Sequence, residues 1–228
     1  MFLGSRFLKS FCLLSFFLLP FTKSFSDDSE VEKKVLDVGE IDEKIFLELR
    51  APYSGRPKPA DLVFEERLVE KYLESLPENI RDAEKKRFEI IKGVKNHIIR
   101  LFERNTFTIK NGLKLRSGRT IQGTISLANE NVFILRKGKS VKGQTYKWDD
   151  LSIEGYTEIL EQFAEKRLSI NAGKVSKEDS RKFAANDYIM LTLLCDWYGE
   201  YGLSSQYAKR AVQLRSEIKN DLNTLLFK

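Results

Sequence analysis

The chain has 228 residues, with 39 Lys and Arg against 33 Asp and Glu, one histidine and two cysteines. A single histidine excludes a His-based zinc site and leaves no Ser-His or Cys-His triad with a ligand to spare. At 42% hydrophobic residues the chain can bury a core without disulfide staples.

Residues 1–26 follow the order of a secretory signal peptide. Arg6 and Lys9 come with no acid, an apolar run extends from Phe11 to Phe21, and Ser24 and Ser26 take the small-residue positions before a cut. The run falls well short of the roughly 20 residues that span a bilayer, and Pro20 interrupts it. Cleavage after Ser26 is expected, with export to the periplasm or extracellular space and no transmembrane segment left. The mature chain then carries 36 basic and 33 acidic residues, so its net charge falls from +6 to +3. Cys12 leaves with the signal, and Cys195 alone forms no intramolecular disulfide and no cysteine metal site.

Residues 27–60 read as an acidic, flexible segment running into a Pro-rich connector. Positions 27–48 hold nine Asp and Glu against Lys33, Lys34 and Lys44, and Pro52, Pro57 and Pro59 bar a helix after them. Residues 61–106 read as helical. Asp61 is placed to cap a helix reaching about Glu74, with Leu62, Leu68, Val69, Tyr72 and Leu73 as its apolar stripe. Ser75, Pro77 and Glu78 then suggest a new cap and a capping box. One longer helix to about Arg104 follows, carrying Phe88, Ile91, Val94, Ile98, Leu101 and Phe102 at helical spacing, with Gly93 a modest weakness.

The period changes to two over residues 107–151. Short apolar runs are separated by turn signals at Gly112, Gly118, Asn129 to Asn131 and Gly138. Ile121, Gly123, Ile125 and Leu127 fall on one face of a strand and Thr120, Gln122, Thr124 and Ser126 on the other. Four or five antiparallel strands are expected here. Residues 152–228 return to helical spacing. Ile153, Tyr156, Leu160, Phe163 and Leu168 form a stripe, and Ser176 with Asp179 can cap a helix to about Tyr198. Its part from Tyr188 to Tyr198 is apolar nearly all round, as a central buried helix would be. Gly199 to Gly202 turn the chain into a last helical stretch with Tyr207, Ala208, Ala211, Leu214, Ile218, Leu222 and Leu225. The expectation is an α+β fold: a small antiparallel β-barrel or bent sheet between N-terminal helices and a C-terminal helical hairpin.

Two resemblances bear on this plan. The run from Leu113 to Ile125, the strand Val132 to Leu135 and the ending Tyr146 to Leu151 resemble a small barrel of the Src-homology or Sm type. Such patterns occur in secreted bacterial proteins of unassigned function, where the resemblance implies a contact-making module. Gly199, Tyr201, Ser204, Ala208 and Ala211 resemble the turn and packing positions of one tetratricopeptide unit, without a second copy and without the usual Pro. It implies a helical hairpin rather than a peptide-binding superhelix.

No catalytic motif, metal site or cofactor site is read from the sequence. His97 reads as a helix-surface or half-buried residue and Cys195 as a small core residue. Asp149 and Asp150 are the best acid pair, and neighbours on a strand point to opposite faces, so they do not flank one bond. Gly118 to Gly123 lead into a strand and fit no phosphate-loop fingerprint. Charge is more telling. Residues 107–151 hold nine basic residues against Glu130, Asp149 and Asp150, and so the whole positive excess of the mature chain. The expected function is that of an exported, non-catalytic interaction or scaffold protein of the bacterial envelope. It would bind an acidic protein or an anionic envelope component through Arg116, Arg119, Arg136, Lys137, Lys139, Tyr146 and Trp148. A hydrolase or carbohydrate-active enzyme using Asp149 or Asp150 is the alternative from another class. A nucleic-acid-binding module is a third, against which export argues.

Overall fold

A computed structural model describes residues 53, 55–103, 107–138, 142–169 and 176–227. The expected signal peptide, the acidic segment 27–48 and Lys139 lie outside the described residues. Three short helices come first: α1 (Glu66–Glu74), α2 (Glu78–Ile91) and α3 (Val94–Glu103). Six strands follow: β1 (Phe107–Thr108), β2 (Leu113–Lys114), β3 (Thr120–Ile121), β4 (Thr124–Ala128), β5 (Val132–Arg136) and β6 (Gly143–Lys147). A 3-10 turn at Trp148–Asp150 leads into α4 (Ile153–Ser169), α5 (Lys177–Tyr198), α6 (Tyr201–Leu214), a second 3-10 turn (Ser216–Ile218) and α7 (Lys219–Phe227). The protein is thus α+β, a small bent antiparallel sheet between N-terminal and C-terminal helices.

The helix starts depart from the caps expected of the sequence. Asp61 does not cap α1: its Oδ1 accepts the Val63 N–H at 3.0 Å, a local turn that competes with helix, and α1 begins at Glu66. Ser75 ends α1 rather than starting α2, its hydroxyl donating to the Tyr72 carbonyl at 2.6 Å. Pro77 precedes α2 and no side chain caps it. The long helix is broken at Lys92 and Gly93, where the Gly93 N–H donates to Ile90, three residues back, and tightens the turn. Leu68 is half exposed, outside the stripe that buries Val69 and Tyr72.

The strands form a four-stranded sheet in the order β1-β4-β5-β6 and a two-stranded ribbon β2-β3, all antiparallel. They do not close into a barrel. The 3-10 turn carries the chain away from β6, so the strand that would close the ring shrinks to one bridge between Leu115 and Leu151. Among the described residues β3 pairs only with β2, and β6 only with β5. A bulge between Ile125 and Leu127 shifts the register of β4. Ile121 and Ile125 face the core, and Leu127 is turned out and 49% exposed, against the alternation expected of it.

The C-terminal helices follow the sequence more closely. Ser176 caps α5, accepting the Asp179 N–H at 3.0 Å and donating to its carboxylate at 2.7 Å. Gly199 ends α5 at φ 92, a left-handed position that glycine takes without strain. Tyr188, Leu191, Leu194 and Trp197 are buried, so α5 is the central helix. Only Gly199 and Glu200 separate α5 from α6, and the Ser204 hydroxyl donates to the Thr192 carbonyl across the pair at 2.9 Å. The last stretch breaks at Arg215, whose extended backbone ends α6. Leu168 is 41% exposed, outside the stripe of α4. Among the described residues no helix is long and apolar enough to cross a membrane.

The Pro-rich connector is built into the core. Trp197 Nε1 donates to the Pro57 carbonyl at 2.7 Å, the Tyr198 hydroxyl to Pro59 at 2.6 Å, and Lys58 Nζ to Tyr198 at 3.1 Å. Between them Arg56 enters the interior. It pairs with Glu84 of α2 at 2.5 Å and with Asp196 of α5 at 2.9 Å, its guanidinium over the rings of Tyr53 and Trp197. Glu84 also takes Arg87 at 2.5 Å and the Tyr72 hydroxyl at 2.7 Å. Arg87 in turn donates to the Leu225 carbonyl of α7. Burial alone would raise the Glu84 pKa, and the hydrogen bonds and charge of Arg56, with Arg87 and Tyr72, hold it below the ordinary value.

Two outcomes follow. Arg56→Ala leaves Glu84 and Asp196 buried with less compensation, and should cost about 3–5 kcal/mol in urea unfolding. Because the Glu84 pKa is lowered on folding, its contribution is whole above the unfolded value and is lost as pH falls through the folded one. Stability should therefore decline below the ordinary value of 4.5, less steeply in Glu84→Gln than in the parent, as read by urea midpoints at stepped pH.

Candidate functional site

The basic strand region divides according to what each side chain touches. Arg116 is spent on the fold: its Nε donates to the Leu151 carbonyl at 3.1 Å and its Nη2 reaches the Ala60 carbonyl at 3.5 Å. Arg136 ends β5 on the face opposite Phe133 and Leu135, its stem alongside Gly143 of β6. Trp148 is enclosed at 1% exposure between Phe133 and Tyr156, and its indole N–H donates to the Asn129 carbonyl at 2.7 Å. It is a core residue and does not sit with the exposed basic side chains.

Arg119, Lys137 and Tyr146 do come together. They line an open groove of about 480 Å³ between β3 on one side and the end of β5 with β6 on the other. Gln122, Gly123 and Gly138 complete much of its wall, and among the described residues no acid lines it. The Tyr146 ring stacks on Phe133 at 5.5 Å between centroids, so it forms a fixed floor. β3 and β6 each have one edge without a strand partner among the described residues. The groove is the opening left where the sheet fails to close.

Gly123 sets the angle of that opening. It has φ 154 where the chain bends from β3 into β4, and its N-terminal neighbours line the groove. A Cβ there would fall on the carbonyl oxygen of Arg136, so only glycine permits the approach.

Other chemistry-bearing residues are tied down. Asp150 accepts the Lys147 N–H at 2.8 Å and serves as the cap of the 3-10 turn, which separates its role from that of Asp149 in a cleft beside the helices. The Cys195 thiol is buried, and burial pushes its pKa well up, away from reactivity. His97, read from the sequence only as half-buried, joins a cluster spanning three helices. Its Nε2 lies 2.9 Å from Asp187 Oδ1, and Arg167 Nε lies 2.8 Å from Oδ2. Asp187 is the buried member, and an acid immediately before the apolar run of α5 was the available signal for it. Burial and the neighbouring Glu165 and Glu158 raise the pKa of Glu161, against the hydrogen bond from Tyr207. Among the described residues no group of three or more His, Cys, Asp and Glu is arranged to hold a metal ion.

Compared with family models, curated proteins and solved structures, the chain matches none. The site therefore has to be argued from its own geometry.

Two glycines of the groove separate strain from space. Gly138→Ala meets open space and bears only the left-handed backbone cost, about 1–2 kcal/mol. Gly123→Ala adds a collision with Arg136 and should lower the unfolding midpoint further, as compared by thermal denaturation of the two variants.

Proposed function

We propose that the protein is an exported, non-catalytic interaction module that holds an extended acidic segment of a partner protein in the groove between β3 and β6. One observation carries this reading: Arg119 and Lys137 flank a groove that, among the described residues, has no acid in its lining and a strand edge without a strand partner on each side. An extended peptide satisfies both features at once. Its backbone can pair with a strand edge while alternate side chains meet the guanidinium and the ammonium. Export rests on the order of residues 1–26. In this reading the strand region is an opened barrel of the Src-homology type, and α5 with α6 is a tetratricopeptide-like hairpin that braces it.

The other readings have less support. A nucleic-acid module needs exposed rings on which bases stack, and Tyr146 and Trp148 are both packed into the core. A hydrolase needs two carboxylates on one reacting bond, and Asp150 is occupied as a cap.

A fluorescein-labelled peptide of alternating Glu and Val, followed by fluorescence anisotropy, tests the proposal. The double variant Arg119→Glu/Lys137→Glu should weaken binding at least tenfold, and Arg136→Glu should leave it near the parent value. Binding that survives the double variant, or that falls equally with Arg136→Glu, defeats the assignment. Preference for phosphatidylglycerol vesicles over the peptide would assign the groove to an anionic surface instead.

A further inference from the structure

A second cleft, of about 780 Å³, opens between the start of α1, the break between α2 and α3, and the end of the sheet where β6 enters its 3-10 turn. Its size is that of a small-molecule site. One wall is apolar: Val63, Phe64, Phe88 and Trp148 line it, and Val63 is 53% exposed. The cleft also holds charges of both signs with unequal burial. The side chain of Lys95 is 9% exposed, and its one acceptor among the described residues is Asp61 Oδ2 at 3.5 Å, the outer limit of a hydrogen bond. An ammonium has three donors, so most of its capacity is unspent and largely cut off from water. The other Asp61 oxygen is committed to the Val63 N–H. Glu66, Glu130 and Asp149 are exposed at the same cleft and form no ion pair with a described residue, while the two other lysines of its lining, Lys92 and Lys147, are exposed to water, Lys92 paired with Glu89.

A simple anion drawn to Lys95 would face these carboxylates, and a simple cation drawn to them would face Lys95. A molecule carrying both charges avoids either conflict. We propose that this cleft binds a small zwitterion with an apolar body, on the scale of a dipeptide. Its carboxylate takes the spare donors of Lys95, its side chains lie against Val63, Phe64 and Phe88, and its ammonium faces the exposed carboxylates.

Titration calorimetry of the full chain with three matched probes tests this: the dipeptide Leu-Phe, its N-acetyl form and its C-terminal amide. Leu-Phe should bind at least tenfold more tightly than either capped form, and Lys95→Met should abolish its binding. Val63→Asp, at an exposed position where folding is not at stake, should abolish it as well. The proposal is overturned if Leu-Phe gives no binding at millimolar concentration, if a capped form binds as tightly, or if Val63→Asp keeps the parent affinity. Arg119→Glu/Lys137→Glu should leave Leu-Phe binding unchanged, which keeps this cleft separate from the groove.

Discussion

The buried guanidinium of Arg56 is the constraint on which the rest of the helical framework depends. A charge taken from water is costly unless opposite charge and hydrogen bonds surround it. Here Glu84 and Asp196 stand against Arg56 and Arg87, so the four formal charges cancel. Burial would lower the Arg56 pKa, and Asp196 with Glu84 drives it the other way. None of the four tolerates the interior alone. Their shared requirement fixes the connector, α2 and α5 at one point, and Tyr53 and Trp197 seal that point from water. Phe64, Tyr72 and Phe88 then gather around the Trp197 ring, so the aromatic core grows outward from the ion network.

The strand layer is attached to this framework through α3 and α4. Trp148 stacks on Tyr156 of α4, whose hydroxyl donates back to the Trp148 carbonyl at 2.7 Å. Ser152 pairs with Lys114, and Arg116 reaches Leu151 and Ala60. Basic residues on the attached side have partners, as Lys114 has in a surface ion pair with Glu154 at 2.6 Å. Those beside the unclosed edge, Arg119 and Lys137, line open space instead. Where the sheet is anchored thus sorts one positively charged region into structural and available residues.

Local signals were the ones legible in the sequence. Ser176 with Asp179, the apolar run from Tyr188 to Tyr198 and the turn glycine at 199 act over a few residues, and each does in the structure what its spacing implies. The class of the fold was readable for the same reason, since the change of period from helix to strand is local. The destinations of charged and aromatic side chains were not. Arg116 and Arg119 sit three residues apart with the same chemistry, and only the turn between them sends one to Leu151 and the other to the groove. Trp148 looked like a surface aromatic because it follows a basic strand, but the 3-10 turn rotates it inward. Arg56 was hidden by its prolines. They correctly exclude a helix, and they say nothing of whether an extended segment lies on the surface or inside. Leu127 escaped because one bulge inverts the alternation beyond it.

The clamp on the connector joins residues far apart in the chain. Arg56 meets Asp196, and Pro57 meets Trp197, across 140 positions. A chain made from its N-terminus therefore offers the guanidinium and the Glu84 carboxylate long before the second acid exists. Until α5 has been synthesised, the first helices can assemble only in part, with the Arg56 network open to water. The framework can close only after α5 has been made, and the contact of Arg87 with Leu225 waits for α7, the last helix of the described chain.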